Sequence, residues 1–299
     1  MKILIFGKGS YIGNNLKKIL ELDFLNYTVE IIDSIGVEWK NLNFSEYDVI
    51  INVAAIVHNP KAESKLYYKV NRDLTIELVN KAKEEGVKQF IQMSTMSVFG
   101  LDDGIIDEKT PLLPKNDYGK SKLEADNYLN IIKDKKFKVC IIRPPMVYGR
   151  ECKGNYRRLE KYVEYIPIFP NLKNKKDFIF IENLTDFIKY VIDNKIDGIF
   201  YPRDPEPIST YEMVKSIALN KKKPMFLLGI FNPIIKLLIP RINIITSVFS
   251  DNYCIIKNPI NWKPKLQNSE AIKKYINNKE IIEKRLFQIQ KNLESSLKL

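Results

Sequence analysis

Residues 2–13 read KILIFGKGSYIG, an apolar run that leads directly into a loop with three glycines, Gly7, Gly9 and Gly13. A buried strand followed by a glycine-rich turn and a helix is typical of a dinucleotide-binding unit, because the glycines let backbone N–H groups approach a pyrophosphate. The loop matches neither common template completely. Ile12 replaces the last glycine of GxGxxG, and Ser10 replaces the middle glycine of GxxGxxG. A tight strand–helix turn without a ligand is the alternative.

Apolar runs of strand length alternate with amphipathic stretches of helix length through the first half of the chain. The strand-like runs are residues 2–6, Tyr27–Asp33, Asp48–Ala54, Val87–Ser94 and Phe137–Arg143. The helix-like stretches are Ile12–Leu20, Leu74–Glu85 and Tyr118–Lys133. Continuous apolar strands separated by helices predict a parallel sheet covered on both faces. We therefore expect an α/β, Rossmann-type doubly wound sheet, with its ligand at the carboxyl ends of the strands.

A different pattern begins after residue 150. Residues 151–177 are basic, aromatic and loop-like, whereas Asp177–Ile181 and Ile196–Tyr201 are predicted to return to the sheet. We expect a Rossmann domain over residues 1–150, with returns to its sheet around 177–203. A smaller C-terminal substrate-binding lobe is expected from residues 151–176 and 204–299.

Charge and cysteine content narrow the classes of function. The net charge of +12 is spread along the chain without a basic, aromatic-interleaved cluster, which favours a solvated lysine-rich surface over a nucleic-acid interface. The three cysteines, Cys140, Cys152 and Cys254, are scattered and odd in number, so we expect a cytoplasmic protein without a disulfide framework. The sequence contains no CxxC pair and one histidine, so no metal site is expected.

Residues 225–249 form the most apolar segment of the chain. A membrane-spanning helix needs about 20 uninterrupted apolar residues. This segment is interrupted by Asn232, Pro233, Lys236, Pro240 and Arg241. We therefore expect a buried part of the lobe and no transmembrane span, with an interfacial segment that contacts a membrane surface as the alternative.

Asp33 lies 20 positions after Gly13, at the end of the second predicted strand. A carboxylate at this place accepts hydrogen bonds from an adenosine ribose and repels a 2′-phosphate, which favours NAD over NADP. Ser10 is small enough to donate its hydroxyl to a phosphate of the same cofactor. A surface acid beside a structural turn is the alternative.

The stretch YGKSK, residues 118–122, places Tyr118 and Lys122 four residues apart on one helix face. A free tyrosine has a pKa of about 10, and a nearby ammonium together with a nicotinamide cation lowers it. Such a tyrosine can take the proton of a substrate hydroxyl while hydride leaves the same carbon. A solvated Tyr–Lys pair is the alternative.

The stretch STMSVFG, residues 94–100, lies at the end of a predicted strand. Its hydroxyl groups would reach a bound substrate there, or would only cap the following turn.

In this order, the motifs resemble the extended short-chain dehydrogenases/reductases, in particular the NAD-dependent nucleotide-sugar epimerase/dehydratase group typified by UDP-glucose 4-epimerase. The resemblance extends over most of the chain and is closest to short members among bacterial surface-polysaccharide enzymes. Beyond the motifs above, it rests on NVAAIVH at 52–58, Val70-Asn71, RPPMVYG at 143–149 and NWKPKL at 261–266. The order and spacing of these motifs are more specific than any one of them.

The resemblance implies roles for individual residues. Tyr118 is the expected catalytic base and acid, Lys122 lowers its pKa and binds the nicotinamide ribose, and Thr95 bonds the reacting sugar hydroxyl. The implied NAD contacts are Gly7, Gly9, Ser10, Tyr11, Ile12, Gly13, Asp33, Asn43, Phe44, Ala54, Ala55, Asn71, Ser94, Tyr118, Lys122 and Pro145. Among these, Asn43 and Phe44 are expected to flank the adenine after a third strand. The implied substrate contacts are Thr95, Ser97, Tyr118, Met146 and Arg157, with Arg158 as the alternative to Arg157; His58 is implied to be structural.

Departures from the family pattern bear on the substrate. Met96 and Ser97 follow Thr95 where 4,6-dehydratases carry two acids, which argues against dehydration. Met146 replaces an asparagine that meets the sugar nucleotide, and Glu182-Asn183 replaces a pair of acids. The sugar and the nucleotide therefore stay open.

The resemblance implies an NAD-dependent nucleotide-sugar 4-epimerase that works through a 4-keto intermediate, as a cytoplasmic homodimer. An NAD(P)H-dependent 4-keto-6-deoxy-sugar nucleotide reductase is the nearest alternative. A lipid-linked sugar substrate at a membrane surface is a further variant. A catalytically silent NAD-binding regulator is the alternative from another class, against which Tyr118 and Lys122 both argue.

Overall fold

A six-stranded parallel sheet forms the centre of the computed structural model, which describes residues 1–57, 62–152 and 154–266. In chain order the strands are β1 (Lys2–Phe6), β2 (Thr28–Ile32), β3 (Val49–Asn52), β4 (Gln89–Met93), β5 (Gly104–Ile106), β6 (Lys138–Ile142), β7 (Met146–Tyr148), β8 (Ile168–Pro170), β9 (Phe178–Phe180), β10 (Gly198–Phe200), β11 (Phe226–Leu228) and β12 (Asn252–Cys254). The central sheet has the order β10-β6-β4-β3-β1-β2.

Helices cover both faces of this sheet, as the predicted doubly wound α/β fold requires. The helices are α1 (Tyr11–Glu21), α2 (Ser64–Tyr68), α3 (Leu74–Glu84), α4 (Asp117–Ile132), α5 (Asn155–Tyr165), α6 (Ile181–Asp193), α7 (Thr210–Asn220), α8 (Asn232–Leu238) and α9 (Asn243–Phe249). Successive strand residues point to opposite faces. In β1, Ile3 and Ile5 pack under α1 and α6, whereas Leu4 and Phe6 pack under α3 and α4. The fold class is therefore confirmed.

The segment between β2 and β3 differs from the expectation of a third strand. It forms two short 3₁₀ helices, Glu38–Asn41 and Phe44–Glu46. The rings of Trp39 and Phe44 each lie 5.8 Å from that of Phe6, so aromatic packing holds this segment against the sheet.

Outside the central sheet, the strands are three residues long and pair two by two. Phe178–Phe180 pairs in parallel with Met146–Tyr148, so the prediction that Asp177–Ile181 returns to the central sheet is wrong. Strand β10 does return to the central sheet, as predicted, and pairs there with β6. Residues 151–177 are not loop-like throughout, because they contain α5 and β8. Of the aromatic residues that we assigned to a loop, Tyr156 and Phe169 are buried in the core of this part of the lobe, whereas Tyr165 is exposed.

The apolar segment 225–249 is divided among β11, a 3₁₀ turn and the seven-residue helices α8 and α9. The expectation that it is a buried part of the lobe is wrong, because Ile230, Ile234 and Ile244 are at least 60% exposed. Within the described residues, no helix has both the length and the apolar character needed to cross a membrane. The predicted lobe extends to residue 299, and its residues 267–299 lie outside the described structure.

Candidate functional site

A cleft of about 1900 Å³ follows the carboxyl ends of β1, β3, β4 and β6 and continues into the lobe. In the sheet, β1 has β2 on one side and β3 on the other, so chain connections leave it in opposite directions. Crevices at such a switch point are the usual ligand sites of doubly wound sheets. The cleft therefore lies at the strand ends where the sequence predicts a ligand.

The glycine loop forms one end of the cleft. Gly7 has a φ of +124°, and a Cβ there would lie 2.9 Å from Val53 Cγ2 and 3.1 Å from the backbone nitrogen of Ala54. Gly9 has a φ of +78° with open space where its Cβ would be. Helix α1 begins directly after the loop and carries no acid in its first turn, so its N-terminal N–H groups can meet an anion. The loop thus fits the pyrophosphate of a dinucleotide.

Ser10 is the N-cap of α1. Its Oγ accepts a hydrogen bond from the backbone nitrogen of Gly13 at 3.0 Å, and its own backbone is extended. A Cβ on Gly13 would lie 2.6 Å from that Oγ, so Gly13 serves the cap and the packing of the helix. Gly13 does not line the cleft, whereas Ser10 does. The hydroxyl proton of Ser10 is still available to a phosphate, because the cap uses only its oxygen.

Asp33 lines the cleft directly after β2. The backbone nitrogens of Gly7 and Lys8 both donate to the carbonyl of Ile32, which joins the glycine loop to this strand end. The Asp33 carboxylate accepts from the backbone nitrogen of Ile35 at 3.0 Å. A carboxylate held beside the glycine loop fits the ribose position that the sequence predicts.

The two residues expected at the adenine do not line the cleft. Phe44 is fully buried under Phe6 and Trp39, and the Asn43 side chain accepts from the backbone nitrogen of Ser45. The expectation fails because the segment folds into 3₁₀ turns. Trp39 lines the cleft instead, and its buried Nε1 has no hydrogen-bond partner among the described residues. Trp39 was not among the predicted site residues, although a tryptophan six residues after Asp33 could have indicated an aromatic contact near the ribose position.

Tyr118 lies in the first turn of α4, where its side chain borders the cleft. Asn116 caps this helix by accepting from the backbone nitrogen of Gly119 at 2.9 Å. Burial raises the pKa of Tyr118 to about 12, a hydrogen bond with Thr95 lowers it, and the charge of Asp126 raises it. Thr95 Oγ1 also lies 3.1 Å from Ser97 Oγ, within hydrogen-bond distance. Three hydroxyl groups thus meet at the carboxyl end of β4.

Lys122 is buried one helical turn after Tyr118. Its Nζ donates to the carbonyl of Met93 at 2.9 Å. Burial lowers the pKa of Lys122 to about 8, and the nearby charge of Asp126 raises it. We expected Lys122 and a nicotinamide ring to lower the pKa of Tyr118, but in the protein itself burial outweighs the other influences and raises it.

A buried ion pair lies one further turn along α4. Asp126 Oδ2 accepts from Arg143 Nε at 2.9 Å and from Ser94 Oγ at 2.8 Å. Burial raises the pKa of Asp126, while Arg143 and Ser94 lower it. This ion pair was not predicted. The spacing of Tyr118, Lys122 and Asp126 at i, i+4 and i+8 nevertheless places all three on one face of α4.

Most of the predicted site residues line the cleft. They are Gly7, Gly9, Ser10, Tyr11, Ile12, Asp33, Ala54, Ala55, Ser94, Thr95, Ser97, Tyr118, Lys122, Pro145 and Met146. Asn71 does not line it, but its side chain bonds both backbone groups of Ile56, a residue of the cleft wall, and also Ser121 Oγ. Asn71 therefore attaches the wall to α4. His58 lies outside the described residues.

The lobe end of the cleft carries two cations, Arg158 and Lys176, beside the carboxylates of Asp102 and Asp177. Arg158 lines it, whereas Arg157 lines a separate pocket of about 320 Å³ with Glu160 and Glu164, away from the cleft. Lys176, which the sequence analysis missed, lines the cleft with only 9% of its surface exposed. Burial lowers the pKa of Lys176 to about 8, and surrounding carboxylates raise it. The sequence feature that could have indicated a basic residue at this place is the pair Lys175-Lys176 before β9.

Comparisons with known proteins point in one direction. The NAD dependent epimerase/dehydratase family matches residues 38–200. UDP-glucose 4-epimerase of Vibrio cholerae is 31% identical over 258 residues, which cover 76% of this chain and 78% of that protein. N-acetyl-alpha-D-glucosaminyl-diphospho-ditrans,octacis-undecaprenol 4-epimerase of Escherichia coli O157:H7 is 29% identical over 60% of this chain and 56% of that protein. The fold matches UDP-glucuronic acid 4-epimerase from Bacillus cereus in complex with NAD with a TM-score of 0.71, at 20% identity, over 92% and 96% of the two chains.

Proposed function

Because the chain belongs to the NAD dependent epimerase/dehydratase family, we propose that it is an NAD-dependent nucleotide-sugar 4-epimerase of glycan biosynthesis. One observation carries the proposal: Tyr118, Thr95 and Lys122 converge on a cleft that runs from the glycine loop into the lobe. This cleft can take a dinucleotide and a sugar nucleotide end to end.

The residues that would hold NAD lie along the sheet end of the cleft. The loop from Gly7 to Ile12 would contact the pyrophosphate, and Asp33 the adenosine ribose. Trp39 would line the adenine end, with its unpartnered Nε1 as a donor. When bound, NAD supplies the acceptor for hydride from the sugar C4 and gives it back. Lys122 would meet the nicotinamide ribose.

Tyr118 is the proposed proton acceptor from the C4 hydroxyl. Its burial opposes the phenolate, so the hydrogen bond from Thr95 and the ammonium of Lys122 must supply the opposite influence. Thr95 would also hold the C4 oxygen at the position from which the proton leaves. After the 4-keto sugar has turned in the cleft, hydride would return to the opposite face of C4, and Tyr118 would return the proton to the C4 oxygen.

Residues around Thr95 support epimerisation over dehydration. Met96 and Ser97 form the 3₁₀ turn that follows it, so no carboxylate is placed there to expel a C6 hydroxyl. At the other end, Lys176 and Arg158 would attract the substrate diphosphate.

The direct test is turnover of a panel of UDP-sugars by the purified chain, with products identified by mass spectrometry and NMR. The proposal expects interconversion of C4 epimers without a net change in NADH absorbance, and turnover reduced about 10²–10⁴-fold in Tyr118→Phe. Stoichiometric NADH oxidation by a 4-keto substrate would identify a reductase and overturn the proposal. NAD binding without turnover of any sugar would favour the silent regulator.

A lipid-linked substrate is the second candidate. The similarity to the undecaprenol-linked 4-epimerase motivates it. Helix α9 supports it, because Ser247 lines the cleft while Ile244 of the same helix is 71% exposed. Comparing kcat/KM for UDP-N-acetylglucosamine with that for N-acetylglucosamine on a polyprenyl diphosphate separates the two substrates.

We also propose a homodimer through α3 and α4, which the family resemblance suggests. Ile131, on α4, is 82% exposed in the single chain and would be covered in such a dimer. Light scattering of the wild type and of Ile131→Glu tests this, because the variant should shift the mass towards that of a monomer.

A further inference from the structure

An exposed apolar surface covers one side of the lobe. Strands β8 and β11 pair in parallel with Ile168 opposite Phe226, and both side chains face outward while Phe169 and Leu227 pack inward. The 3₁₀ turn after β11 contacts β8, and helix α8 contacts both that turn and α9. Phe249 of α9 packs against Phe169 of β8. We define the lobe surface as Ile168, Phe226, Leu228, Ile230, Phe231, Ile234, Leu237, Ile242 and Ile244, all of them exposed large apolar residues.

Helix α8 shows that the exposure is one-sided. Ile234 and Leu237 lie three residues apart on one face and are about 60% exposed, whereas Ile235 between them is buried. Ile230, in the preceding turn, is 76% exposed. A patch of this kind is uncommon on a protein without a partner.

The charge of the same region is entirely positive. Residues 213–250 contain six cations and no aspartate or glutamate. Lys222, Lys223, Lys236 and Arg241 are all exposed. Two copies of such a face would repel one another, whereas an anionic partner would be attracted.

We propose that the lobe surface docks on an anionic lipid bilayer. Its apolar side chains would enter the boundary between headgroups and acyl chains, and its cations would meet lipid phosphates. This proposal does not depend on the proposed sugar chemistry, because vesicle binding is measured without turnover. Since α9 contributes Ser247 to the cleft, docking would bring the lobe end of the cleft close to the lipid.

The test is flotation of the full chain with vesicles of phosphatidylcholine, with or without phosphatidylglycerol. The wild type should float with the phosphatidylglycerol vesicles, and high salt should reduce the bound fraction. Ile230→Glu and the pair Lys236→Glu/Arg241→Glu should each weaken binding at least tenfold. These side chains are exposed, so near-UV circular dichroism should be unchanged. Leu25→Glu, at a residue 85% exposed outside the lobe surface, is the matched control and should bind like the wild type.

Several results would overturn the proposal. One is failure of the wild type to float with either vesicle, whatever else covers the face. Another is equal loss of binding in Leu25→Glu, because the binding would then be unrelated to the lobe surface. A lower mass of Ile230→Glu in sedimentation, with no vesicle binding by the wild type, would instead assign the face to contacts between copies.

Discussion

Asp126 and Arg143 form an almost fully buried ion pair, with Oδ2 and Nε 2.9 Å apart. The pair joins helix α4, which carries Tyr118 and Lys122, to the residue that directly follows β6. Ser94, in the cleft wall, donates to the same carboxylate oxygen. The charges beneath the proposed catalytic residues are therefore held by one network that spans three elements.

Arg143→Met should strongly destabilise the protein. It leaves the buried Asp126 carboxylate without its cation, a change that costs about 3–5 kcal/mol in buried pairs. Denaturant unfolding measures the effect. The exposed pair Lys2–Glu46 supplies the control, because Lys2→Met should cost less than about 1 kcal/mol. The double variant Arg143→Met/Asp126→Leu should recover much of the loss; equal costs for Arg143→Met and Lys2→Met would contradict the role of the pair.

Lys122→Met should be more stable than the wild type near neutral pH. The pKa of Lys122 is lowered from 10.5 to about 8, so its buried ammonium carries an unfavourable free energy of up to about 3 kcal/mol below that pH. Between about pH 8 and 10.5 the folded wild type loses this proton while the unfolded chain keeps it, so wild-type stability should rise with pH. The advantage of the variant should therefore shrink across this window. Unfolding curves at several pH values measure it; a constant difference would refute the assignment.

Thr95→Val should shift the dependence of kcat on pH towards higher pH. Its hydrogen bond lowers the pKa of Tyr118, and the base must be deprotonated to act. Rates measured from neutral to alkaline pH test the direction. Tyr118→Phe is the reference that lacks the base, and it should lose about 10²–10⁴-fold in kcat. An unchanged profile in Thr95→Val would mean that Thr95 only positions the sugar.

Lys176→Met should raise KM for a nucleotide sugar more than it lowers kcat. The buried ammonium lines the lobe end of the cleft, away from Tyr118, so it would bind the diphosphate equally in the ground and transition states. A tenfold effect corresponds to about 1.4 kcal/mol. Lys175→Met is the matched control, since the adjacent Lys175 is exposed and its ammonium lies over the ring of Tyr253. Equal effects of the two variants would exclude a specific contact.

Ser10→Ala should reduce stability by about 1 kcal/mol, because it removes the cap of α1, whereas Ser10→Gly should cost only a few tenths. Both variants should still bind NAD, since the backbone N–H groups of the loop are kept. Thermal unfolding and NAD titration measure the two properties. Loss of NAD binding in Ser10→Gly would show that the hydroxyl carries the phosphate contact.

Local patterns predict the sheet well. The apolar runs place β1, β2, β3, β4 and β6 within a few residues of their positions, because a strand buried on both faces is apolar along its whole length. Pairing partners are not local. The apolar run Phe178–Phe180 fits a central strand equally well, and only the position of Met146–Tyr148 decides where it pairs.

The residues of the site also divide into those that local spacing predicts and those whose position depends on distant parts of the chain. The glycine loop, Tyr118 and Lys122 could be read from spacing along the chain. Phe44 could not be placed, because its burial depends on contacts with Phe6 and Trp39 from other elements. The choice between Arg157 and Arg158 depends on the direction in which α5 presents them. Lys176 enters the cleft only after the lobe has folded against it.

The position of β10 at the end of the central sheet has a consequence for synthesis of the protein. Ile3 and Ile5 lie in an apolar cluster that also contains Phe187, Ile188 and Phe200. A nascent chain of 150 residues therefore leaves the ribosome with this side of its sheet covered by α1 alone, because α6 has not yet been made. Residue 200 must emerge before this side is closed, and residue 252 before the cleft wall is complete. Until then the growing chain exposes apolar surface to which chaperones bind. A premature stop codon after the glycine loop and Tyr118 therefore yields an aggregation-prone fragment instead of a small cofactor-binding protein.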